Sequence, residues 1–424
     1  MLEDLKGKKI AIVGFGTNNR KLAAFFAKHG VEFETIENWG LNSSLIGRLD
    51  SYDVIFRTPG LPYNSPAIQQ AKQKGVEVSS QTKLFFKLCP AAIIGVTGTK
   101  GKGTTSTLIA RILSAAGGSA PGREITYDRV WLGGNIGVDP FEFIDEIKAS
   151  DLVVLELSSF QLQDLQTSPH VAVVLNITAD HLDPSGSYES PSHASLEEYT
   201  NAKLQIVAHQ TEKDFAVMSH ELPESAHIGK GRKIIFSPAD VADFEYNLIG
   251  KHNLENIAAA VAVGKIYDVP EEKMRAAVLA FKGLPHRLQI TMQKDGITYV
   301  DDSVSTNEDS TIAAIRAFAG PLILIAGGSS KGLDYNKLGQ VIVSSPNLKA
   351  LVLVGQEADK ISKAAAGFRG KIFTGAKSME EIVRQAKSAA VSGDTILLSP
   401  AAASFDMFTD YKDRAAQFAE EISK

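Results

Sequence analysis

The sequence predicts an α/β protein built from three successive units. Short runs rich in Val, Ile and Leu alternate with helical patterns along nearly the whole chain, the texture of buried parallel strands and the helices that cross between them. Two stretches, Cys89-Pro90 and Gly283-Leu284-Pro285, punctuate that alternation. A length of 424 residues exceeds what one core serves. The units are therefore expected at residues 1–90, 91–284 and 285–424.

In the first unit KKIAIVGFG, VEFETIE and DVIFRTPG read as strands, and LAAFFAKHG and SPAIQQAKQKG as helices. The second opens with the strand AAIIGVTG and a helix from about Lys102 to Ala116. The strands DLVVLELSS and HVAVVLNIT follow, and the helical segments HNLENIAAAVAVGKIY and EEKMRAAVLAFKGL close the unit. The third starts with RLQITMQ and ITYVDDS, joined by KDG, a hairpin signal. It continues through PLILIAGG, LKALVLVG and DTILLSP, each with a helix behind it. DPSGSYESPSH, residues 183–193, lacks periodicity and reads as a loop.

Composition excludes several classes. With 44% hydrophobic and 22% charged residues the chain is expected to be globular, and a net charge of -5 gives no reason to expect a nucleic-acid partner. One cysteine, Cys89, leaves no disulfide framework or cysteine-rich metal site and reads as a small buried hydrophobe. The first residues form a strand pattern and not a signal peptide, and no apolar run approaches the roughly 20 residues that cross a bilayer. The expected address is the cytosol, without membrane insertion.

The chemistry concentrates at GVTGTKGKGTTST, residues 95–107. A strand, a glycine-rich turn and a helix N-terminus aim backbone N–H groups and the helix dipole at an anion, and Lys102 is placed for β- and γ-phosphates. The spelling departs from the strict phosphate-loop pattern. Five residues separate Gly95 from Gly101, and Gly103 stands where the hydroxyl is expected.

TGTKGKGTT resembles the ATP loop of the Mur ligases and of their relatives the folylpolyglutamate synthases, in which Gly sometimes precedes the hydroxyl residue. The resemblance implies a Rossmann-like first unit, a central P-loop ATPase-type parallel sheet and a Rossmann-like third unit. It implies ATP at Gly98, Thr99, Lys100, Gly101, Lys102, Gly103, Thr104 and Thr105, with Thr104 as the magnesium-side hydroxyl and Thr105 as second choice.

Further motifs extend it. ELSSFQL, with Glu156, Ser158, Ser159 and Gln161, resembles the signature of the branch that adds D-glutamate, whose glutamate binds magnesium. NITADHLD brings Asn176, Asp180, His181 and Asp183, of which His181 takes the second-magnesium role. Lys203, in EEYTNAKLQIV, matches the family's carbamylated lysine, a cation converted by carbon dioxide into an oxygen ligand. Lys102, Lys203 and His181 are thus the implied catalytic residues. Asn253 and Asn256 fall where the family contacts adenine, and Arg287, beside His286, where it meets the nucleotide.

In YVDDSVSTNEDST, Asp302 matches a ribose or phosphate contact, and Thr306 and Asn307 lie by the substrate, but Val304 replaces the usual lysine. Lys331, Ser404 and Tyr411 match the positions that hold the incoming amino acid. Gly14, Phe15, Gly16 and Thr17, followed by Asn18 in place of a common glycine, resemble the turn against the uridine diphosphate. Thr58, Pro59, Gly60 and Asn135 complete that side.

The implied activity is an ATP-dependent ligation of D-glutamate to UDP-N-acetylmuramoyl-L-alanine through an acyl phosphate, with two magnesium ions, by a monomer. A folylpolyglutamate synthase is the nearest rival, but it lacks both the leading unit and ELSSFQL. The sister branch that adds a diamino acid carries DNPR, absent here. A non-catalytic nucleotide-binding module, with Val304 and Gly103 as symptoms, is the reading from another class.

Overall fold

A computed structural model of the chain describes residues 2–37, 45–117, 126–180, 182–183, 192–330, 332 and 334–424. Three sheets follow one another in sequence. The first holds β1 (Ile10–Val13), α1 (Thr17–Lys28), β2 (Glu34–Ile36), β3 (Val54–Arg57), α2 (Pro66–Gln73), β4 (Glu77–Ser80) and α3 (Gln81–Leu88). Its strands are parallel, in the order β2-β1-β3-β4. The pair β4 and α3 has no counterpart in the sequence reading. EVSS carries one aliphatic residue, and the helix start is marked only by Ser80, whose side chain accepts from Lys83 N.

The central sheet holds β5 (Ala92–Thr97), α4 (Lys102–Ala116), β6 (Val130–Gly134), β7 (Leu152–Glu156), α5 (Ser159–Leu162), β8 (Val171–Val174), α6 (Leu196–Ala208), β9 (Phe215–Ser219), β10 (Arg232–Phe236), α7 (Asn253–Ile266) and α8 (Glu271–Ala280). All six strands are parallel, in the order β10-β9-β8-β5-β7-β6. From β5 the chain runs first to one edge and then to the other, so the order reverses beside β5. That reversal puts a topological switch point at the carboxyl end of β5, the position at which open α/β sheets bind ligands.

The third sheet holds β11 (Gln289–Lys294), β12 (Ile297–Asp301), α9 (Glu308–Arg316), β13 (Leu322–Gly327), α10 (Asn336–Ser344), β14 (Leu348–Val354), α11 (Ala358–Ala364), β15 (Lys371–Phe373), α12 (Met379–Ala389), β16 (Thr395–Leu398) and α13 (Tyr411–Ser423). Its order is β11-β12-β16-β13-β14-β15, parallel except for the β11–β12 hairpin. Asp295 and Gly296 both take positive φ at that turn, the conformation that makes Asp-Gly a hairpin signal.

The chain forms two compact units. One comprises Met1–Glu245 with Leu254–Leu279 and contains the first two sheets; the other comprises Tyr246–Asn253 with Ala280–Lys424 and contains the third. Within the first unit a single apolar cluster runs from Phe26 and Phe56 through Phe85 to Phe141 and Val153. Phe25 packs edge-on against Phe141 at 4.9 Å. A buried ion pair, Arg57 Nη2 to Asp164 Oδ1 at 2.7 Å, adds to the join. No helix among the described residues is long and apolar enough to cross a membrane.

Candidate functional site

The glycine-rich loop lies between β5 and α4, and α4 starts and ends where the sequence pattern put it, at Lys102 and Ala116. Two glycines shape the loop. Gly98 and Gly101 have φ of +156° and +87°, and a Cβ on Gly101 would come 2.1 Å from Asn256 Oδ1. Asn176, at the end of β8, fastens the loop from outside. Its Oδ1 accepts from Lys100 N at 2.9 Å, its Nδ2 donates to Lys100 O at 3.2 Å, and its carbonyl accepts from Thr99 N at 2.7 Å.

The hydroxyls of the loop divide by environment. Thr105 is fully buried and donates to Asn256 Oδ1 at 3.3 Å, while Ser106 donates to Lys102 O at 2.8 Å. Thr104 is half-buried, on the first turn of α4, which leaves it the better placed of the two threonines to face a ligand. Lys100 is exposed. Asn256, expected at the adenine, braces Thr105 here, and Asn253, the first residue of α7, donates to Ile249 O at 2.8 Å.

Two lysines converge on one carbonyl. Lys102 Nζ donates to Gly98 O and to Thr99 O, both at 3.0 Å, and Lys203 Nζ donates to Gly98 O at 2.8 Å. Lys203 is only 1% exposed and lies 4.5 Å over the ring of Tyr199, one helical turn earlier on α6. Burial, then the neighbouring Lys102 charge, brings the Lys203 amine down to about 7, against the pull of Asp180 and Glu156. At that value a substantial share of the amine is neutral near physiological pH, and the neutral form is the one nucleophilic toward carbon dioxide. Tyr199, pushed up to about 12 by burial, stays a phenol and shares a 3.1 Å hydrogen bond with Thr99 Oγ1.

Glu156 ends β7 and is buried. It is not the cap of the next helix, because Ser158 and Gln161 form a capping box for α5. Asn135 is exposed, and its N–H donates to Glu156 O at 2.9 Å, which sets the two expected contacts side by side. Among the described residues no three His, Cys, Asp or Glu side chains form a metal-binding group. The oxygen donors present, Glu156 and Thr104 with Asp180 bearing electrostatically on Lys203, suit a hard cation, more so if Lys203 becomes a carbamate. His181 lies outside the described residues.

At the first sheet the turns after β1 and β3 stand together, since Thr58 N donates to Val13 O at 2.9 Å. Gly14 takes φ +81°, Asn19 Nδ2 donates to Gly14 O at 2.7 Å, and Arg20 Nε donates to Phe15 O at 3.0 Å. Gly16 precedes α1 and Thr17 begins it. Thr58, Pro59 and Gly60 are half-buried.

In the second compact unit the acids at the end of β12 are held tightly. Asp302 is buried, accepts from Ser399 Oγ at 2.7 Å and Leu288 N at 3.1 Å, and is pushed up to about 6 by burial, with Arg287 among the groups opposing. Arg287 is exposed. His286 Nδ1 lies 2.7 Å from Asp301 Oδ2, and its ring is edge-on to Tyr411 at 6.0 Å. Asn307 caps α9, Thr306 beside it is half-buried, and Ser404 is buried. Lys331 lies outside the described residues.

Arg414 is a residue the sequence reading passed over. Buried on α13, it donates through Nε to Ser303 Oγ at 2.9 Å and through Nη2 to Ser303 O at 2.8 Å, and burial lowers it to about 10, still cationic at neutral pH. The signal was its spacing, for Arg414, Phe418 and Ile422 are four apart and share the buried face of the helix. Tyr199 and Lys203 carry the same signal on α6.

Residues 96–233 match the family described as Mur ligase middle domain, and residues 286–402 the family described as Mur ligase, glutamate ligase domain. A UDP-N-acetylmuramoylalanine--D-glutamate ligase of Acetivibrio thermocellus is 34% identical over 472 residues, covering 99% of this chain and 97% of its own. Among solved structures, MurF from Acinetobacter baumannii aligns with a TM-score of 0.59 at 18% identity, over 84% of this chain and 87% of its own. E. coli FolC in complex with ADP aligns with a TM-score of 0.55 at 19% identity, over 81% and 93%.

Proposed function

The chain belongs to the Mur ligase family, and from that premise we propose that it joins D-glutamate to UDP-N-acetylmuramoyl-L-alanine at the expense of ATP. The observation that carries this reading is the convergence of Lys102 and Lys203 on the Gly98 carbonyl, within the electrostatic reach of Glu156 and Asp180. Support for the acceptor and the amino acid comes from ELSSFQL and from the similarity over the whole chain to the Acetivibrio thermocellus ligase.

In this reading the loop N–H groups and the start of α4 bind the ATP phosphates, and Lys102 leaves its carbonyl partners to lie along the transferring group. The acceptor carboxylate attacks the γ-phosphorus and ADP departs, leaving an acyl phosphate. The amine of D-glutamate adds to the activated carbonyl, the tetrahedral oxyanion is stabilised by the same cations, and phosphate leaves as the amide forms with loss of a proton. Thr104, Glu156, His181 and carbamylated Lys203 would hold magnesium. When bound, magnesium neutralises charge spread over the phosphoryl oxygens. Arg414 holds Ser303 just beyond the end of β12, and Thr306, Lys331, Ser404 and Tyr411 would receive the amino acid, Lys331 and a hydroxyl suiting its carboxylates.

ADP release by the purified protein, with ATP, magnesium, acceptor and D-glutamate each omitted in turn, tests the reading. Full activity is expected only with all four. Release without acceptor marks an ATPase, and none at all marks a binding module. Lys102→Ala is expected to lower kcat by about 10²–10³-fold, the usual loss of a fixed transition-state cation.

A further inference from the structure

The short helix α5, which follows the strand end carrying Glu156, and α6, which carries Lys203, meet at a buried side chain, His193. Its ring lies flat on Phe160, with centroids 4.7 Å apart and planes within 8°. It stands edge-on to Tyr199 at 5.3 Å and 67°. Nε2 is 2.9 Å from Ser159 Oγ, and Nδ1 is 3.9 Å from a carboxylate oxygen of Glu198. Only 1% of the residue is exposed.

Each contact lands beside a residue with a proposed role. Ser159 is three residues after Glu156, at the start of α5. Tyr199 lies under the Lys203 amine and shares a hydrogen bond with Thr99 of the loop. A buried histidine among aromatic rings is often plain core filling, and a phenylalanine would fill the same slot. What phenylalanine lacks is the bond to Ser159, and that bond ties α5 to the imidazole in a fixed direction.

We propose that His193 is a positioning residue, which sets α5, just behind the Glu156 end of β7, against the Tyr199–Lys203 face of α6, so that Glu156 and Lys203 keep the separation that holding one cation between them requires. This rests on the ligase reading above. Residues that orient a metal's ligands from behind are worth about 10–100-fold in activity, and a shift of about 1 Å at a reacting group costs on the order of 10²-fold.

The test compares His193→Phe, which keeps the ring and loses the bond, with His193→Gln, which keeps a hydrogen-bonding end at similar reach, and with Ser159→Ala, which removes the bond from the other side. Expected for His193→Phe and Ser159→Ala is a fall in kcat of about 10–100-fold, with KM for the UDP-linked acceptor within about threefold. The glutamine variant recovers most of that loss, and the double variant is no worse than the worse single one, as for two partners of one contact. A His193→Phe enzyme with wild-type kcat overturns the proposal, and so do additive losses. Should His193→Phe fail to fold, Ser159→Ala and His193→Gln decide it by the same criteria. The Lys203 Cε resonance of protein grown on ¹³C-lysine, read without any ligand, is expected to move in His193→Phe and Ser159→Ala and to return in His193→Gln. An unmoved resonance overturns the proposal even if wild-type protein releases no ADP, the result that sinks the ligase reading instead.

Discussion

A lysine amine stripped of water beside a second lysine is an unfavourable cation, and Lys203 carries the consequence as a dependence of stability on pH. In the folded chain the group titrates near 7, in the unfolded chain at about 10.4. Below the lower value both states are protonated and the fold bears the whole cost of the buried charge. Between the two values the unfolded chain holds more protons, so stability rises with pH across that window. Metal-free Lys203→Met protein is therefore expected to melt above the wild type at about pH 6, with the gap closing toward about pH 10. A gap that stays constant rejects the lowered value. The neutral amine is also the form that adds carbon dioxide, so a ¹³C-carbamate signal from labelled bicarbonate should strengthen from about pH 6 to about pH 8. None of this is visible in EEYTNAKLQIV, where Lys203 looks like a solvated lysine until α6 is packed against the loop.

The decisive element is the loop from Gly98 to Gly101 with the first turn of α4. Gly101 combines a left-handed φ of +87° with the close approach of Asn256, whose Oδ1 accepts from Thr105. A methyl group there meets both obstacles. Gly101→Ala is expected to lose about 1–3 kcal/mol of stability from the strained backbone and the displaced hydrogen bond. Urea unfolding measures that loss, and titration with a fluorescent ADP analogue should show weakened binding. The loop and helix were legible because glycine spacing and helical periodicity are local properties. The pair β4 and α3 was not, since a four-residue strand with two serines leaves the apolar pattern nothing to repeat. Ser158 and Gln161 belong to the ELSSFQL signature, and in the fold they also cap α5.

At the scale of the whole molecule the first two sheets share one compact unit, although the Cys89-Pro90 punctuation separates them in sequence. Arg57, next to the Thr58–Gly60 turn, donates to Phe160 O at 2.9 Å and pairs with Asp164, both side chains being at most 1% exposed. Removing Arg57 leaves the buried Asp164 carboxylate with only the longer contact to Lys83 Nζ, at 3.5 Å, to answer its charge. Arg57→Met is expected to destabilise this unit by about 3–5 kcal/mol, and the double variant that combines Arg57→Met with Asp164→Leu to recover most of it. Equilibrium unfolding followed by the fluorescence of Trp131, which stacks on Phe143 in the same unit, reads both values. Equal losses in single and double variants would show that the pair does not join the sheets.

The sequence alone determined the succession of parallel α/β units, the phosphate-type loop, the acid at the end of β7 and the relation to the Mur ligases, because periodicity, glycine placement and motif spelling reside in neighbouring residues. Only the tertiary structure decided that Lys203 loses its proton near neutrality, that Arg414 and Tyr199 line buried faces, that Arg57 finds Asp164 and that His193 bridges α5 and α6. Those properties arise from desolvation and pairing between residues far apart in the chain, and water is excluded from them only once the sheets and helices have closed around them.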